Sequence, residues 1–510
     1  MVPPADLVLR NGRVHALSTD DPRASSAEPD ATALAIRDGD IVAVGSPGAM
    51  PPSDQVIDLE DRVVLPGFID AHTHLEHAGL SLVHADLSTA TSRADALDTL
   101  ATHASNDADT EWIVGVGYDE STWPGGEQPT RRDLDGISTD RPVGVLRVDM
   151  HTAVLNSVAL DRFGNDIEDD HLDVDGSEPT GRVVEGGLGV ISPVADPDRA
   201  QTRRLLAAAI ERAHRLGITG VHEKVRHSHA PEVYRDMDLA GELGLRVRID
   251  YWRHHLDAVL ETGLRTNHGS AFVRTGAIKM FTDGSIGART AKLSRPYADD
   301  PGRGQWVLDP AEFESIARRA AGAGLQLSVH AIGDDAIDRA IAVLSDVPGS
   351  RHRIEHAELA SDESIAAMAE HGIVASMQPN FHRWAGEDGL YETALGPERT
   401  RESNRLGTVH QEGVDLAFGS DCMPMGPLFG IHHAVNAPTP AQSLSVGDAL
   451  RAYTAGAARA AFDEQRLGTI AVGKQADLVV LDRSPWEAPE EIRDIGVERT
   501  IVDGTTVYSV

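Results

Sequence analysis

Lysine is almost missing from this chain: Lys224, Lys279, Lys292 and Lys474 are the only four among 510 residues. Arginine supplies the rest of the basic charge, and 46 basic residues face 80 acidic ones for a net charge of −34. Repulsion on that scale argues against nucleic acid or an anionic membrane surface as a partner. An acidic, lysine-poor composition fits a protein adapted to high salt, where screening weakens self-repulsion; an ordinary acidic enzyme is the plainer alternative. Cysteine is scarcer still. Cys422 stands alone, which rules out an intrachain disulfide and fits a reducing cytoplasm. Long hydrophobic runs are missing too. No stretch approaches the ~20 apolar residues of a membrane helix. The opening MVPPADLVLRNGR has no apolar leader core and no cleavage pattern. The expectation is a cytoplasmic protein acting on a small molecule, alone or as a homodimer.

What the chain does contain is the run LPGFIDAHTHLE, Leu65 to Glu76, with His72 and His74 two apart after an apolar stretch. Side chains alternate along a strand, so residues i and i+2 point the same way. Two neutral imidazoles on one face at a strand end can share a metal ion. With 23 histidines in the chain, such a pair also arises by chance. Four further ligand-type residues stand in or at the ends of later apolar runs: Lys279, His330, His356 and Asp421.

The organisation is that of an α/β protein. Strand-like runs GITGVHEKV, LRVRIDYW, AIKMFTDG, LQLSVHAIG, RIEHAEL, GIVASMQP and VDLAFGSD alternate with amphipathic helical stretches such as PAEFESIARRAAGAG and SDESIAAMAEHG. That alternation predicts a (β/α)8 TIM barrel over residues 67–466. The stretch from about 77 to 198 is long for one barrel connection and reads as an insertion; within it GNDIEDDHLDVDGSEPTG reads as an exposed acidic loop or hairpin. Both ends, 1–66 and 467–510, carry short strand-like runs with Asn-Gly and Asp-Gly turns, which favour tight hairpins. Neither end buries much alone, so the simplest reading is one small β-sandwich domain built from both.

PGFIDAHTHLE, AIKMFTDGS, LSVHAIGD, RIEHAEL and AFGSDCMP together resemble the metal-dependent amidohydrolase superfamily, in the branch that includes N-substituted formamide deformylases. The resemblance runs from ADLVLRNGRV to TIVDGTTVYS and implies the same barrel and terminal β-sandwich. It also implies a metal site of His72, His74, Lys279, His330, His356 and Asp421, holding one or two divalent ions, zinc first among them. Taken singly, His330 and His356 read as core histidines with hydrogen-bond partners. A lysine inside an apolar strand is costly to bury charged, so its pKa falls. A neutral Lys279 amine can take up carbon dioxide as a metal-bridging carbamate; a lysine paired with Asp283 or another acid is the alternative. Asp421 is the expected general acid/base, taking a proton from metal-activated water and delivering it to the leaving nitrogen. Its neighbour Cys422 reads as a small buried residue rather than a nucleophile.

The pocket is drawn from strand ends and loops, where capping and packing use the same residue types. Tyr118, Asp119 and Trp123 lie in GYDESTW, His151 in VDMHTAVLN, and Glu185 in TGRVVEGG. Asp283, Ser285 and Arg289 lie in DGSIGART, with Gln378 and Trp384 at the mouth. The function expected is hydrolysis of a non-peptide carbon–nitrogen bond in a linear N-substituted amide or formamide. A heterocycle deaminase is the first alternative. Such enzymes typically place a glutamate a few residues beyond the fifth-strand histidine, whereas His330 is followed by Ile332-Gly333-Asp334-Asp335-Ala336. A cyclic amidase uses a bridging carboxylated lysine and stays open. A non-catalytic metal-binding scaffold is the alternative of a different class.

Overall fold

Between Phe68 and Phe418 the apolar runs become eight parallel strands. They are β1 (Phe68–Thr73), β2 (Ile218–Val225), β3 (Arg246–Trp252), β4 (Val273–Phe281), β5 (Gln326–Ala331), β6 (Arg353–His356), β7 (Val374–Met377) and β8 (Leu416–Phe418). Each pairs with the next in sequence order, the order of a (β/α) barrel. The circle is nearly closed: β8 returns to β1 through the Asp421 N–H, which donates to the His72 carbonyl at 2.8 Å. The computed structural model describes residues 3–18, 27–106, 110–120, 123–148, 152–176, 178–191, 194, 196–227, 229–386 and 388–510. Two compact units emerge. Met1–His74, Ile210–Arg226 and Tyr234–Val510 form the first; Leu75–Ala209 and His227–Val233 form the second.

Burial on both faces explains why barrel strands read as unbroken runs rather than alternations. All eight residues of β2 are buried. Connecting helices start and stop where their caps dictate. The helix Pro310–Gly322 begins behind Asp309, whose carboxylate accepts the Ala311 and Glu312 N–H groups, with Pro310 at its first position. Asp362–His371 is capped by Ser361 and ends at Gly372 with φ +61°.

The barrel interior is polar. Arg353 on β6 donates to His222 on β2 at 2.7 Å and to the Ala71 carbonyl on β1 at 2.6 Å. β6 neighbours neither strand in the sheet, so these bonds cross the inside of the barrel. Lys224 on β2 joins them, donating to Asp250 on β3 at 2.5 Å. This ionic layer stands where branched apolar side chains usually fill such a barrel.

Strands from both chain ends join in one eight-stranded mixed sheet. Leu7, Leu9, Leu34 and Ile36 from the N-terminal part share an apolar cluster with Leu478, Val480 and Ile501 from the C-terminal part. Asp38-Gly39 and Asp503-Gly504 make the tight hairpins, with φ of +51° and +80° in the first pair and +51° and +76° in the second. Asn11-Gly12 does not. It lies inside the strand Ala5–Val14, where the register against Ala31–Arg37 shifts between Arg10 and Val14. Asn11 takes φ +57° there, and a Cβ on Gly12 would meet Leu59 at 2.5 Å. The pair therefore makes a β-bulge under a packed leucine rather than a turn.

The second unit carries a six-stranded sheet in the order Leu172–Asp175, Glu178–Val184, Thr152–Leu155, Val143–Arg147, Ile113–Tyr118 and Ala85–Asp86. Each face has its own apolar cluster, one with Trp112, Val114 and Val116, the other with Ile113, Val143 and Val145. The acidic segment read as a loop or hairpin contains the antiparallel pair Leu172–Asp175 and Glu178–Val184. Among the described residues, no helix is long and apolar enough to cross a membrane.

Candidate metal centre

Three donor groups converge where β1, β6 and β8 end. The ligand atoms of His72, His356 and Asp421 all lie within 4.8 Å of one another. His74 joins them, its Nε2 3.2 Å from Asp421 Oδ1, against 3.6 Å for His72 Nε2.

Local backbone geometry makes the convergence. His356 ends β6 with φ +74°, and Asp421 follows β8 with φ +55°. Non-glycine residues held in the left-handed region cost free energy and persist where surrounding contacts impose them. Here Asp70 imposes much of it. Its buried carboxylate accepts the Ser420 N–H at 2.8 Å and the Ser420 hydroxyl at 2.5 Å, lashing the turn before Asp421 to β1. Burial raises the Asp70 pKa to about 6 against those hydrogen bonds. Cys422 accepts the His74 N–H at 3.3 Å, and burial pushes its thiol pKa up.

Burial keeps the imidazoles neutral, the form that binds metal. It drives His72 and His330 well below their ordinary 6.5 and His356 to about 4. Burial alone would raise the Asp421 pKa; the surrounding ring nitrogens, with the His74 hydrogen bond at 3.2 Å, pull the carboxylate below the usual range. Lys279 is fully buried on β4. Its Nζ has no hydrogen-bond partner among the described residues and sits 4.5 Å from the Phe281 ring centre. Burial brings its pKa from 10.5 to about 7. An orphaned, half-neutral amine beside neutral imidazoles and an ionised aspartate is a donor set that fits a divalent cation. His330 packs ring against ring with His356 at 4.6 Å, but its Nε2 is engaged with the Gly284 carbonyl at 3.0 Å.

The remaining sequence-predicted residues fall into distinct roles. Asp283 accepts the N–H groups of Lys292, Ile332 and Gly333 at 2.8–3.1 Å, tying the loop after β4 to the loop after β5; burial raises its pKa to about 7. Ser285 Oγ accepts the Ala288 N–H at 3.2 Å, and Arg289 pairs with Asp299 at 2.5 Å. Gln378 is buried after β7. Trp384 packs on Phe381 at 4.8 Å, and Phe381 stacks on His356 at 6.0 Å. Tyr118 and Trp123 belong to a core of the second unit, 6.0 Å apart. Asp119, also there, lies 3.6 Å from Arg147. Glu185 opens the 3-10 helix Glu185–Val190; its side chain and the whole of His151 lie outside the described residues.

The sequence reading missed the groups behind the site: Asp70, His222, Lys224, Asp250, Arg353 and Glu355. Each is buried. One signal was present. Charged or polar residues recur two apart in His222/Lys224, Arg248/Asp250 and Arg353/Glu355, the period of one strand face.

Comparison with known proteins places the chain in a family. The model of the amidohydrolase family matches residues 55–508. The chain is 30% identical to the putative amidohydrolase YtcJ of Bacillus subtilis (strain 168), over 93% of this chain and 96% of that protein. It is 28% identical to an N-substituted formamide deformylase of Arthrobacter pascens, over 99% of this chain and 98% of that one. The crystal structure of an uncharacterised metal-dependent hydrolase from Pyrococcus furiosus matches with a TM-score of 0.80 at 29% identity, covering 94% of this chain and 99% of that chain. The chain belongs to the amidohydrolase family.

Proposed function

We propose that this protein hydrolyses the carbon–nitrogen bond of a linear N-substituted amide or formamide. The observation that carries the reading is the gathering of His72, His356 and Asp421 at the ends of barrel strands, beside a Lys279 amine with no hydrogen-bond partner among the described residues. That the Arthrobacter pascens relative is an N-substituted formamide deformylase supports the substrate class. A divalent cation, zinc first, held by His72, His74, His356 and Asp421, with His330 and Lys279 beside them, would supply Lewis acidity and make water nucleophilic at neutral pH. Asp421 is ionised. In this reading its Oδ1 would accept a proton from the attacking water and pass it to the leaving nitrogen. A neutral Lys279 Nζ is the form that adds carbon dioxide, losing one proton to give a carbamate and a further anionic ligand. The compartment proposed is the cytoplasm, at high salt. Lys224 and Lys279 are buried and Lys292 and Lys474 half-buried, so no lysine lies among the fully exposed residues. Arginine alone supplies the fully exposed basic charge other than histidine.

The test is product release by zinc-loaded protein in molar potassium chloride, offered N-substituted formamides and simple N-acyl amines. Formate or carboxylate appearing with free amine is the expected result. Silence there, with ammonia from aminated heterocycles or ring opening of hydantoins instead, overturns the linear-amide reading. Stability is expected to fall as salt is lowered, since screening of the −34 net charge weakens; equal stability at low and high salt would remove the salt reading.

A further inference from the structure

A fully buried hydrogen bond at the metal centre belongs to a residue with no place among the ligands. His72 Nδ1 lies 2.7 Å from Glu355 Oε2, and both side chains are essentially without solvent exposure. Glu355 faces two buried cations, Arg353 and Lys224. Arg353 Nε stands 2.9 Å from Oε1, Ser328 donates to the same oxygen at 2.7 Å, and Lys224 Nζ is 3.9 Å away. A carboxylate paired with the Arg353 guanidinium and taking the Ser328 hydroxyl acts as acceptor, so His72 Nδ1 donates to Oε2 and the ring's lone pair lies on Nε2, the atom that faces Asp421 at 3.6 Å.

The same cations fix the backbone at this point. Arg353 and Lys224 both donate to the Ala71 carbonyl, at 2.6 and 3.3 Å, one residue before His72. Ring and main chain are thus anchored from one buried network.

We propose that Glu355 is a positioning residue: it locks the tautomer and orientation of His72 so that Nε2 is presented to the metal. The assignment rests on the metal-hydrolase reading of this site. Such partners commonly govern metal affinity by 10–100-fold.

The experiment titrates metal-free wild-type protein, Glu355→Gln and Glu355→Asp with cobalt(II) and zinc(II) against a competing chelator, alongside thermal melts of the metal-free forms. Glu355→Gln keeps the reach and loses the charge. Glu355→Asp keeps the charge facing Arg353 and Lys224, which protects folding, but withdraws from the ring. The expected result is a 10–100-fold loss of zinc affinity in each folded variant, with altered cobalt absorption bands. A folded variant with affinity within about twofold of wild type and an unchanged cobalt spectrum overturns the assignment, because a merely structural carboxylate would move only the melt. Wild-type protein that binds neither ion sinks the metal reading itself, and Glu355 with it.

Discussion

Gly419 and His72 touch backbone to backbone. A Cβ on Gly419 would stand 2.4 Å from the His72 nitrogen and 2.6 Å from its Cβ. This approach lets the Asp421 N–H reach the His72 carbonyl at 2.8 Å and closes the barrel. Gly419→Ala is expected to force β8 away from β1, costing about 1–3 kcal/mol from overpacking and stretching that hydrogen bond. Thermal melting should show the loss, and metal content should fall with it. A variant as stable and as metal-rich as wild type would show that the two strands have room to separate.

Asp421 combines an ionised carboxylate with contacts to His72 and His74. Replacing it by Asn keeps the shape and removes the base. Turnover by Asp421→Asn is expected to fall by about 10²–10⁴-fold, with much of the metal retained on the histidines. Product release and elemental analysis on the same sample give both numbers. Activity within tenfold of wild type would assign proton transfer elsewhere.

Lys279 offers a buried nitrogen with no hydrogen-bond partner among the described residues. If that nitrogen reaches the metal, directly or as a carbamate, Lys279→Ala should lose bound metal. Acetate or propionate should then restore part of it, since a free carboxylate can stand where the carbamate stood. Wild-type metal content in Lys279→Ala would count against any ligand role. Metal loss without carboxylate rescue would leave the plain amine.

Much of this was legible because strands carry their own signature. Several barrel runs, such as LQLSV and GIVASM, are largely apolar since both faces are covered, and His72, His356 and Asp421 come at or just past run ends, which a barrel curves together. Glu355 was hidden by its position. In RIEH the histidine is the obvious ligand, and which residue faces Glu355 across the barrel depends on β6 lying opposite β1, a relation no local pattern encodes. Lys224 is a similar case. A lysine in an apolar strand reads alike whether it serves a metal, as Lys279 is proposed to do, or anchors Asp250 and the Ala71 carbonyl. Asn11-Gly12 was read as a turn because its dihedral preference suits both a turn and a bulge; only Leu59 above it decides.

Far from the metal centre, His15 gives a pH prediction with a clean sign. It is buried in the terminal sheet and stacks on Trp486 at 4.3 Å. Burial, only partly offset by Asp30, lowers its pKa from the ordinary 6.5 to about 4. Between those values the unfolded chain binds the proton and the folded chain does not, so acid favours unfolding. Above 6.5 neither state is protonated and the residue adds no pH dependence. His15→Phe keeps a ring against Trp486 and removes the proton site. Wild type should therefore lose stability relative to His15→Phe as pH falls from about 6.5 to 4, by about 1–3 kcal/mol in all, with a constant difference above that window. Because His72, His330 and His356 are common to both proteins, their own acid sensitivity cancels in the comparison. Denaturant melts of the two proteins at pH 4.5, 5.5, 6.5 and 7.5 measure it, and parallel curves across the range would mean that His15 is protonated in the folded protein.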